Sequence, residues 1–264
     1  MRISIVIPTY RPKEYLWQCL MSIEHQTLSH ELFEVLLVLN GDREPYEQQI
    51  SSFLASHPTL PCRLIYNDKR GVSAARNKGI DEAKGEYLCF IDDDDYISPT
   101  YLHELLNIAS RDVVAASYSL SIFQDGHTEQ NHFSQEYERH VHLGEMHFVR
   151  PKKIFSVPWM KLIHRDIIGK RRFNESFSNG EDAIFMFEIS DCLKHVRFTS
   201  TEAVYYWTQR DNSLHLLSTS QLIHKYCRMI LAYLRLYVRN PLKYNQYFFL
   251  TRILAAFHGI IARK

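Results

Sequence analysis

Apolar strand-like runs alternate with helical segments through the first 118 residues, and this alternation restricts the fold more than any other feature. The runs cover 3–7, 34–39, 63–66, 87–91 and 113–118, and apolar side chains recur at helical spacing in 14–26, 48–55, 72–83 and 100–110. Because the strands are continuously apolar, they are typical of a parallel sheet covered by helices on both faces. We therefore predict an α/β fold with a mostly parallel sheet.

Three polar segments come directly after predicted strands, at 8–12, 40–42 and 92–95. In a parallel sheet the carboxyl ends of the strands lie at one edge, and ligands bind in the crevice outside that edge. We expect the three segments to converge there and to form the functional site.

The rest of the chain is less regular. Residues 119–215 are rich in His and aromatic side chains and predict short strands and helices that continue the same domain. Residues 221–239 have strongly amphipathic helical spacing, and a second, more apolar helix is predicted at about 244–262. We therefore expect one domain at 1–215, made of halves 1–118 and 119–215, followed by a helical extension at 216–264.

The charge of the chain is unevenly distributed. Residues 216–264 contain eight of the 31 Lys and Arg residues and no Asp or Glu, which leaves 23 basic and 30 acidic residues in 1–215. A basic tail on an acidic body predicts contact with an anionic surface but argues against nucleic acid as the partner. The five cysteines form no C-x-x-C pair, and neither a signal peptide nor a spanning helix is expected, so we predict a cytoplasmic location.

Four adjacent carboxylates, Asp92 to Asp95, directly follow the strand predicted at 87–91. They repel one another unless a cation is present, and hard oxygen ligands suit Mg²⁺ or Mn²⁺. The alternative is a solvated acidic turn that caps the helix beginning near Pro99.

The segment from Gly71 to Asp95, GVSAARNKGIDEAKGEYLCFIDDDD, combines a G-x-x-x-A-R-N helix start, A-x-G-E-Y, an apolar strand and D-x-D. With SIVIPTYRP near the start and FNESFSNGEDAIFMFEI further on, it resembles the family-2 glycosyltransferases of the GT-A fold. The motifs extend from residue 3 to about 215. The resemblance implies a nucleotide-sugar-binding half at 1–118, an acceptor-side half at 119–215, and a role in bacterial polysaccharide biosynthesis such as capsule or lipopolysaccharide assembly.

The resemblance also implies the donor and metal sites. Asp92 and Asp94 match the D-x-D pair that binds the divalent metal, Mn²⁺ or Mg²⁺, and the donor's ribose and diphosphate; Asp93 stays a candidate because the register is open. The loop that wraps the nucleotide base corresponds to Pro8, Thr9, Tyr10 and Arg11. Asn40 stands where the family usually has an Asp, but its side-chain amide can still form a hydrogen bond with a nucleotide base. The resemblance favours UDP as the nucleotide. Arg76 either approaches the phosphates or forms a buried ion pair.

The catalytic candidates lie further along the chain. Asp182 resembles the family's catalytic base, which deprotonates the acceptor hydroxyl during inverting transfer, and Glu181 would orient either its surroundings or the acceptor. The alternative is that both residues only stabilise the first turn of a helix. Arg210, in a segment similar to the family's Y-x-x-R-x-x-S, would offset charge on the leaving diphosphate, and His215 is either a metal ligand or a surface residue. Trp159 and Lys161 match a W-x-K-L pattern on the acceptor side, although packing is an equal alternative for Trp159.

These observations predict an inverting glycosyltransferase that moves a sugar from a nucleoside diphosphate sugar to the hydroxyl of a lipid-linked or growing cell-surface glycan. The basic tail would either pack on the core or contact the inner face of an anionic membrane. Two alternatives stay open: a non-catalytic relative that binds a nucleotide sugar or glycan, and a nucleotidyltransferase. The latter usually has a Gly-rich loop near its first strand, which SIVIPTYRP lacks.

Overall fold

The computed structural model describes residues 1–209 and 218–261. Its strands are β1 (Ile3–Thr9), β2 (Phe33–Asn40), β3 (Cys62–Asn67), β4 (Tyr87–Phe90), β5 (Tyr96–Ile97), β6 (Val113–Ala116), β7 (Tyr118–Ile122), β8 (Thr128–Gln130), β9 (Met146–His147), β10 (Lys161–His164), β11 (His195–Phe198) and β12 (Val204–Thr208). Its helices are α1 (Glu14–Glu24), α2 (Tyr46–Ser56), α3 (Val72–Glu82), α4 (Tyr101–Ile108), α5 (His132–His140), α6 (Arg165–Ile168), α7 (Glu181–Glu188), α8 (Thr219–Arg239) and α9 (Gln246–Ile261).

The central sheet has the strand order β3-β2-β1-β4-β10-β6-β11-β9. Strand β1 runs parallel to both β2 and β4, and all seven of its residues are buried. Continuous burial explains why the strand is apolar at every position rather than at alternate ones. The predicted α/β fold and mostly parallel sheet are confirmed.

Strand β10 enters this sheet from the second half of the chain and lies antiparallel between β4 and β6. A smaller sheet has the strand order β5-β12-β7-β8. Its first strand along the chain, β5, begins at Tyr96, directly after the acidic cluster. Sequence patterns did not predict either feature, since both depend on pairing between segments that are distant along the chain. The second half therefore completes the sheet.

The two predicted C-terminal helices are present as α8 and α9. Helix α8 begins with a capping box, in which Ser218 and Gln221 exchange side-chain-to-backbone hydrogen bonds. Met229 and Tyr233 of α8 and Phe248 of α9 are buried. The ring of Phe187, from α7, contacts Tyr233 edge-on at 5.2 Å between centroids, so α8 packs directly on helix α7.

Helices α8 and α9 and the turn between them also expose large apolar side chains: Leu231 and Val238 in α8, Leu242 in the turn, and Leu250, Leu254 and Phe257 in α9. Within the parts of the chain that the structure describes, no helix combines the length and the apolar character that crossing a membrane requires.

Candidate active site

The polar segments that follow β1, β2 and β4 meet at the carboxyl edge of the sheet, as predicted. The Thr9 hydroxyl donates to Asp93 Oδ2 at 2.5 Å, which joins the first loop to the acidic cluster. Asn40 Nδ2 donates to the Thr9 carbonyl at 2.7 Å, and Asn40 Oδ1 accepts from the Gly71 amide at 3.1 Å. The 3% exposed Asn40 amide therefore ties together β1, β2 and the start of α3.

A cavity of about 500 Å³ opens over this junction. Its lining includes the predicted residues Pro8, Thr9, Tyr10, Asn40 and Asp93, together with Tyr15, Arg70, Gly71 and Val72. The exposed Tyr10 ring lies over Gly41, where an added Cβ would come within 2.8 Å of a ring carbon. This leaves an aromatic side chain, polar groups and a guanidinium around one cavity, which suits a nucleotide.

Arg11 lies beside this cavity rather than among its lining residues. Its Nε donates to Asp42 Oδ2 at 2.7 Å, and Asp42 also pairs with Arg70 at 3.0 Å. The Arg11 hydrogen bond and the positive charges of Arg11 and Arg70 lower the pKa of Asp42, although desolvation opposes this shift. Asp42 thus links the 8–12 loop to the segment before α3.

The acidic cluster divides into residues with different environments. Asp95 is only 2% exposed, and its carboxylate accepts from the Tyr205 hydroxyl at 2.7 Å and from the Thr208 amide at 2.8 Å. Burial and the charges of Asp94 and Asp92 raise the pKa of Asp95 well above its usual value. Asp95 therefore anchors the cluster to β12, while the Asp92, Asp93 and Asp94 side chains lie nearer the surface.

Arg76 lies between the acidic cluster and the predicted base. It is in the first turns of α3 and is 3% exposed. Its Nη2 donates to Asp92 Oδ1 at 2.7 Å, and its Nη1 donates to Asp182 Oδ1 at 2.5 Å. Burial would lower the pKa of Arg76, but the charges of Asp182, Asp92 and Glu181 raise it above its usual value. The guanidinium is permanently positive and holds both carboxylates in place.

Asp182 is the second residue of α7, whose N-cap Gly180 has a φ of +87°. Its side chain is 22% exposed. Burial raises the pKa of Asp182 to about 7; the positive charge of Arg76 lowers it, and the Glu181 and Asp92 carboxylates raise it further. A carboxylate that titrates near neutral pH is suited to accept a proton from a hydroxyl group.

Glu181 is buried beside this pair, with Oε1 at 3.9 Å from Arg76 Nη1. Within the described parts of the chain, Glu181 Oε2 is buried without a hydrogen-bond partner. A buried acceptor without a partner is costly, and it is frequently satisfied by a ligand or by water. The atom marks a polar position next to the candidate base.

Trp159 and Lys161 lie in the core rather than on the surface. The Trp159 ring is 4% exposed and stacks on Tyr205 at 4.8 Å between centroids. Lys161 Nζ donates to the Trp159 carbonyl at 2.8 Å, and burial lowers the pKa of this ammonium well below its usual value. Trp159 therefore packs against the tyrosine that holds Asp95, and Lys161 is bonded to the Trp159 backbone. The predicted Arg210 and His215 lie outside the described residues.

Sequence reasoning missed several residues that build the site. Arg70 adjoins the G-x-x-x-A-R-N motif, and its position next to a predicted helix start was an available signal. Tyr15 lies within an amphipathic helix, where periodicity does not distinguish a cavity-lining ring from a surface ring. Tyr205, which holds Asp95, lies 110 residues away along the chain, so only the folded structure shows the contact.

The carboxylates of Asp92, Asp93 and Asp94 supply the oxygen donors that a hard divalent cation requires. Within residues 1–209 and 218–261, no group of three or more His, Cys, Asp or Glu side chains is positioned to hold an ion. Mg²⁺ is commonly bound by one or two carboxylates together with substrate phosphates, rather than by an all-protein cage. The donor set therefore fits a cation that the substrate helps to bind.

Comparisons with known proteins found similar chains. The chain is 25% identical to EpsH of Bacillus subtilis over 229 residues, which cover 84% of this chain and 64% of EpsH. It is 26% identical to the minor teichoic acid biosynthesis protein GgaB of the same organism over 225 residues, 83% of this chain but 24% of GgaB. The chain thus spans less than two thirds of the length of both relatives.

Solved structures share the fold. The crystal structure of Staphylococcus aureus TarS 1-349 in complex with UDP-GlcNAc matches with a TM-score of 0.76 and 19% identity, over 100% of this chain and 74% of that one. The predicted GT-A fold is confirmed. The model of the family described as "Glycosyl transferase family 2" matches residues 4–172, which include all of β1 but its first residue, the acidic cluster and β10. The chain belongs to glycosyl transferase family 2.

Proposed function

We propose that this protein transfers a sugar from a UDP-sugar to an acceptor hydroxyl by a single displacement with inversion at the anomeric carbon. The observation that carries the proposal is the Arg76 bridge, which holds Asp182 next to Asp92. Asp92 is the chain neighbour of Asp93, which lines the cavity. Asp182 takes the proton of the acceptor hydroxyl while that oxygen forms a bond to the anomeric carbon. The bond from the anomeric carbon to the diphosphate oxygen breaks, and the nucleoside diphosphate leaves with the electron pair.

The cavity lined by Tyr10, Asn40 and Arg70 is the proposed site of the nucleotide. TarS, which shares the fold, has been crystallised with UDP-GlcNAc, and this supports a uridine nucleotide here. Asn40 is already hydrogen-bonded to Thr9 and Gly71, so its proposed role is to shape the loops that hold the base.

Asp92 and Asp94, with Asp93 beside them, are the proposed ligands of Mn²⁺ or Mg²⁺. When bound, the cation would neutralise charge on the diphosphate. Asp95 and Arg76 position these carboxylates from the buried side. We also propose that Arg210 offsets charge on the leaving diphosphate and that His215 is a metal ligand.

The acceptor is proposed to be a lipid-linked or growing cell-surface glycan, and GgaB, a minor teichoic acid biosynthesis protein, supports this class. Helices α8 and α9 would bring the enzyme to the anionic inner face of the membrane. Exposed Leu250, Leu254 and Phe257 provide apolar contact, and the described tail, 218–261, contains basic but no acidic residues. We also propose that the chain divides into a catalytic domain at 1–215 and a helical extension at 216–264, because the apolar and basic side chains proposed to contact the membrane belong to the extension.

Thermal unfolding with a panel of nucleoside diphosphates, with and without Mn²⁺, tests the donor site. UDP with Mn²⁺ should raise the Tm of the wild type and of Asp81→Ala, an exposed control whose carboxylate pairs with Arg172. Asp94→Ala should lose the metal-dependent part of this increase. If no nucleotide raises the wild-type Tm with metal present, the proposed donor site is wrong. NMR of the anomeric configuration of the product then tests inversion.

Sedimentation with vesicles tests the membrane contact. Vesicles containing anionic lipid should bind the wild type and Leu143→Glu, a control at an exposed leucine outside the tail. The double variant Leu250→Glu, Leu254→Glu should stay in the supernatant. Equal binding of all three proteins would exclude the α9 surface as the contact.

A further inference from the structure

A second cavity, of about 400 Å³, lies between the 177–179 segment and the first turns of α8. We call it the α8 cavity and define it by Phe177, Asn179, Gln221, His224, Lys225 and Arg228. The basic side chains of Lys225 and Arg228 and the imidazole of His224 line it, and the described lining residues include no carboxylate. The first turn of α8 lies at the positive end of the helix dipole, which adds to the positive electrostatic potential in the cavity.

The two cations are held in place by the segment that leads to the candidate base. Lys225 Nζ donates to Asn179 Oδ1 at 3.4 Å, three residues before Asp182. Arg228 Nη2 donates to the Ser176 carbonyl at 2.8 Å, and the guanidinium lies over the Phe177 ring at 4.5 Å from its centroid. Partial burial and these contacts preorganise the cations and lower the cost of ordering them around an anion.

The α8 cavity is also fixed relative to helix α7. Gly180 packs so closely on α8 that an added Cβ would lie 2.6 Å from Met229 Sδ. Partial burial of the ammonium lowers the pKa of Lys225, and the negative charge of Glu181 on α7 opposes this shift without reversing it. The cavity therefore lies on the Asp182 side of the protein, and its lining differs from that of the donor cavity at β1 and β2.

We propose that the α8 cavity binds a phosphate group of the acceptor through Lys225 and Arg228. This inference rests on the proposed function, because it assigns the anion to the substrate whose hydroxyl approaches Asp182. Two sources share this chemistry: the diphosphate of a lipid carrier and the phosphodiester of a polymer. A phosphate held at one end would restrict the orientation of the acceptor toward the base.

NMR of protein labelled with [¹³C]methyl-methionine tests the proposal without metal or nucleotide. The Met229 methyl group, assigned with Met229→Leu, reports on the cavity wall. Inorganic pyrophosphate represents the lipid diphosphate, dimethyl phosphate represents the polymer phosphodiester, and sodium chloride at equal ionic strength is the control. We expect a saturable shift of the Met229 signal with at least one phosphate probe, and the responding probe indicates the source.

Lys225→Gln and Arg228→Gln should each weaken this binding by about tenfold, since each removes a charge-assisted hydrogen bond. Arg235→Gln is the matched control, because it removes an exposed cation two turns further along α8 and should bind as the wild type does. No saturable shift beyond that of chloride, or wild-type affinity in both cavity variants, would overturn the proposal. The UDP-dependent Tm increase is measured separately: its loss would contradict the donor site and with it the assignment of the anion to an acceptor, whereas phosphate binding in the α8 cavity is decided by the NMR titration.

Discussion

Arg76 Nη1 donates to Asp182 Oδ1 across 2.5 Å, although the two residues are 106 positions apart in the chain. The same guanidinium donates to Asp92 through Nη2, so one buried side chain joins the acidic cluster that follows β4 to the start of α7. This contact fixes the distance between the proposed metal ligands and the proposed base.

Replacement of Asp182 by Asn should strongly slow sugar transfer while the fold is retained. The amide has the shape of the carboxyl group but does not accept the hydroxyl proton, so we expect a loss of about 10²–10⁴-fold in kcat. Release of nucleoside diphosphate measures the rate, and the UDP-dependent Tm increase should persist. Activity within about tenfold of the wild type would show that Asp182 is not the base.

The pH profile should report the titration of Asp182, whose pKa burial raises to about 7. A general base acts in its deprotonated form, so activity should be low below this value, rise with pH through about 7 and become constant above it. The measurement is kcat/KM between about pH 5.5 and 8.5, with protein unfolding monitored at each pH. A profile that is flat, or that falls with pH over this range, contradicts the assignment.

Arg76→Met should destabilise the protein, because it leaves Asp92 and Asp182 without their shared cation. Loss of one partner of a buried ion pair costs about 3 kcal/mol, and urea unfolding measures it. Arg172→Met is the matched control: Arg172 pairs with Asp81 at 2.5 Å on the surface, where a pair contributes less than about 1 kcal/mol. Equal effects of the two substitutions would show that the Arg76 bridge is not important for stability.

Asn40→Asp should weaken both the fold and nucleotide binding. The substitution replaces the Nδ2 donor by an acceptor that faces the Thr9 carbonyl, and the unsatisfied buried group costs about 1–3 kcal/mol. Asn67→Asp is the control, since Asn67 Nδ2 makes a longer hydrogen bond of 3.2 Å to Lys69 O at the surface. Urea unfolding and the UDP-dependent Tm increase measure the two effects. Unchanged values for Asn40→Asp would exclude the proposed role in shaping the loops.

Local sequence patterns determined much of this protein. Continuous apolar runs specify strands such as β1, because a parallel sheet buries both of its faces. Helical periodicity specified α8 and α9. The polar segments after β1, β2 and β4 were expected to converge because the ends of parallel strands share one edge, and the Thr9–Asp93 hydrogen bond confirms it.

Tertiary structure alone decided which polar side chains meet. The sequence around β10 does not indicate that this strand pairs antiparallel with β4 and β6. The hydrophobic pattern of a strand shows which of its faces is buried but not which strands lie beside it. The burial of Trp159 against Tyr205 and the joint contact of Arg76 with Asp92 and Asp182 likewise depend on distant segments. Hydrophobic periodicity indicates which side chains of a segment are buried. Ion pairs across the core form between distant segments, so they depend on how those segments pack together.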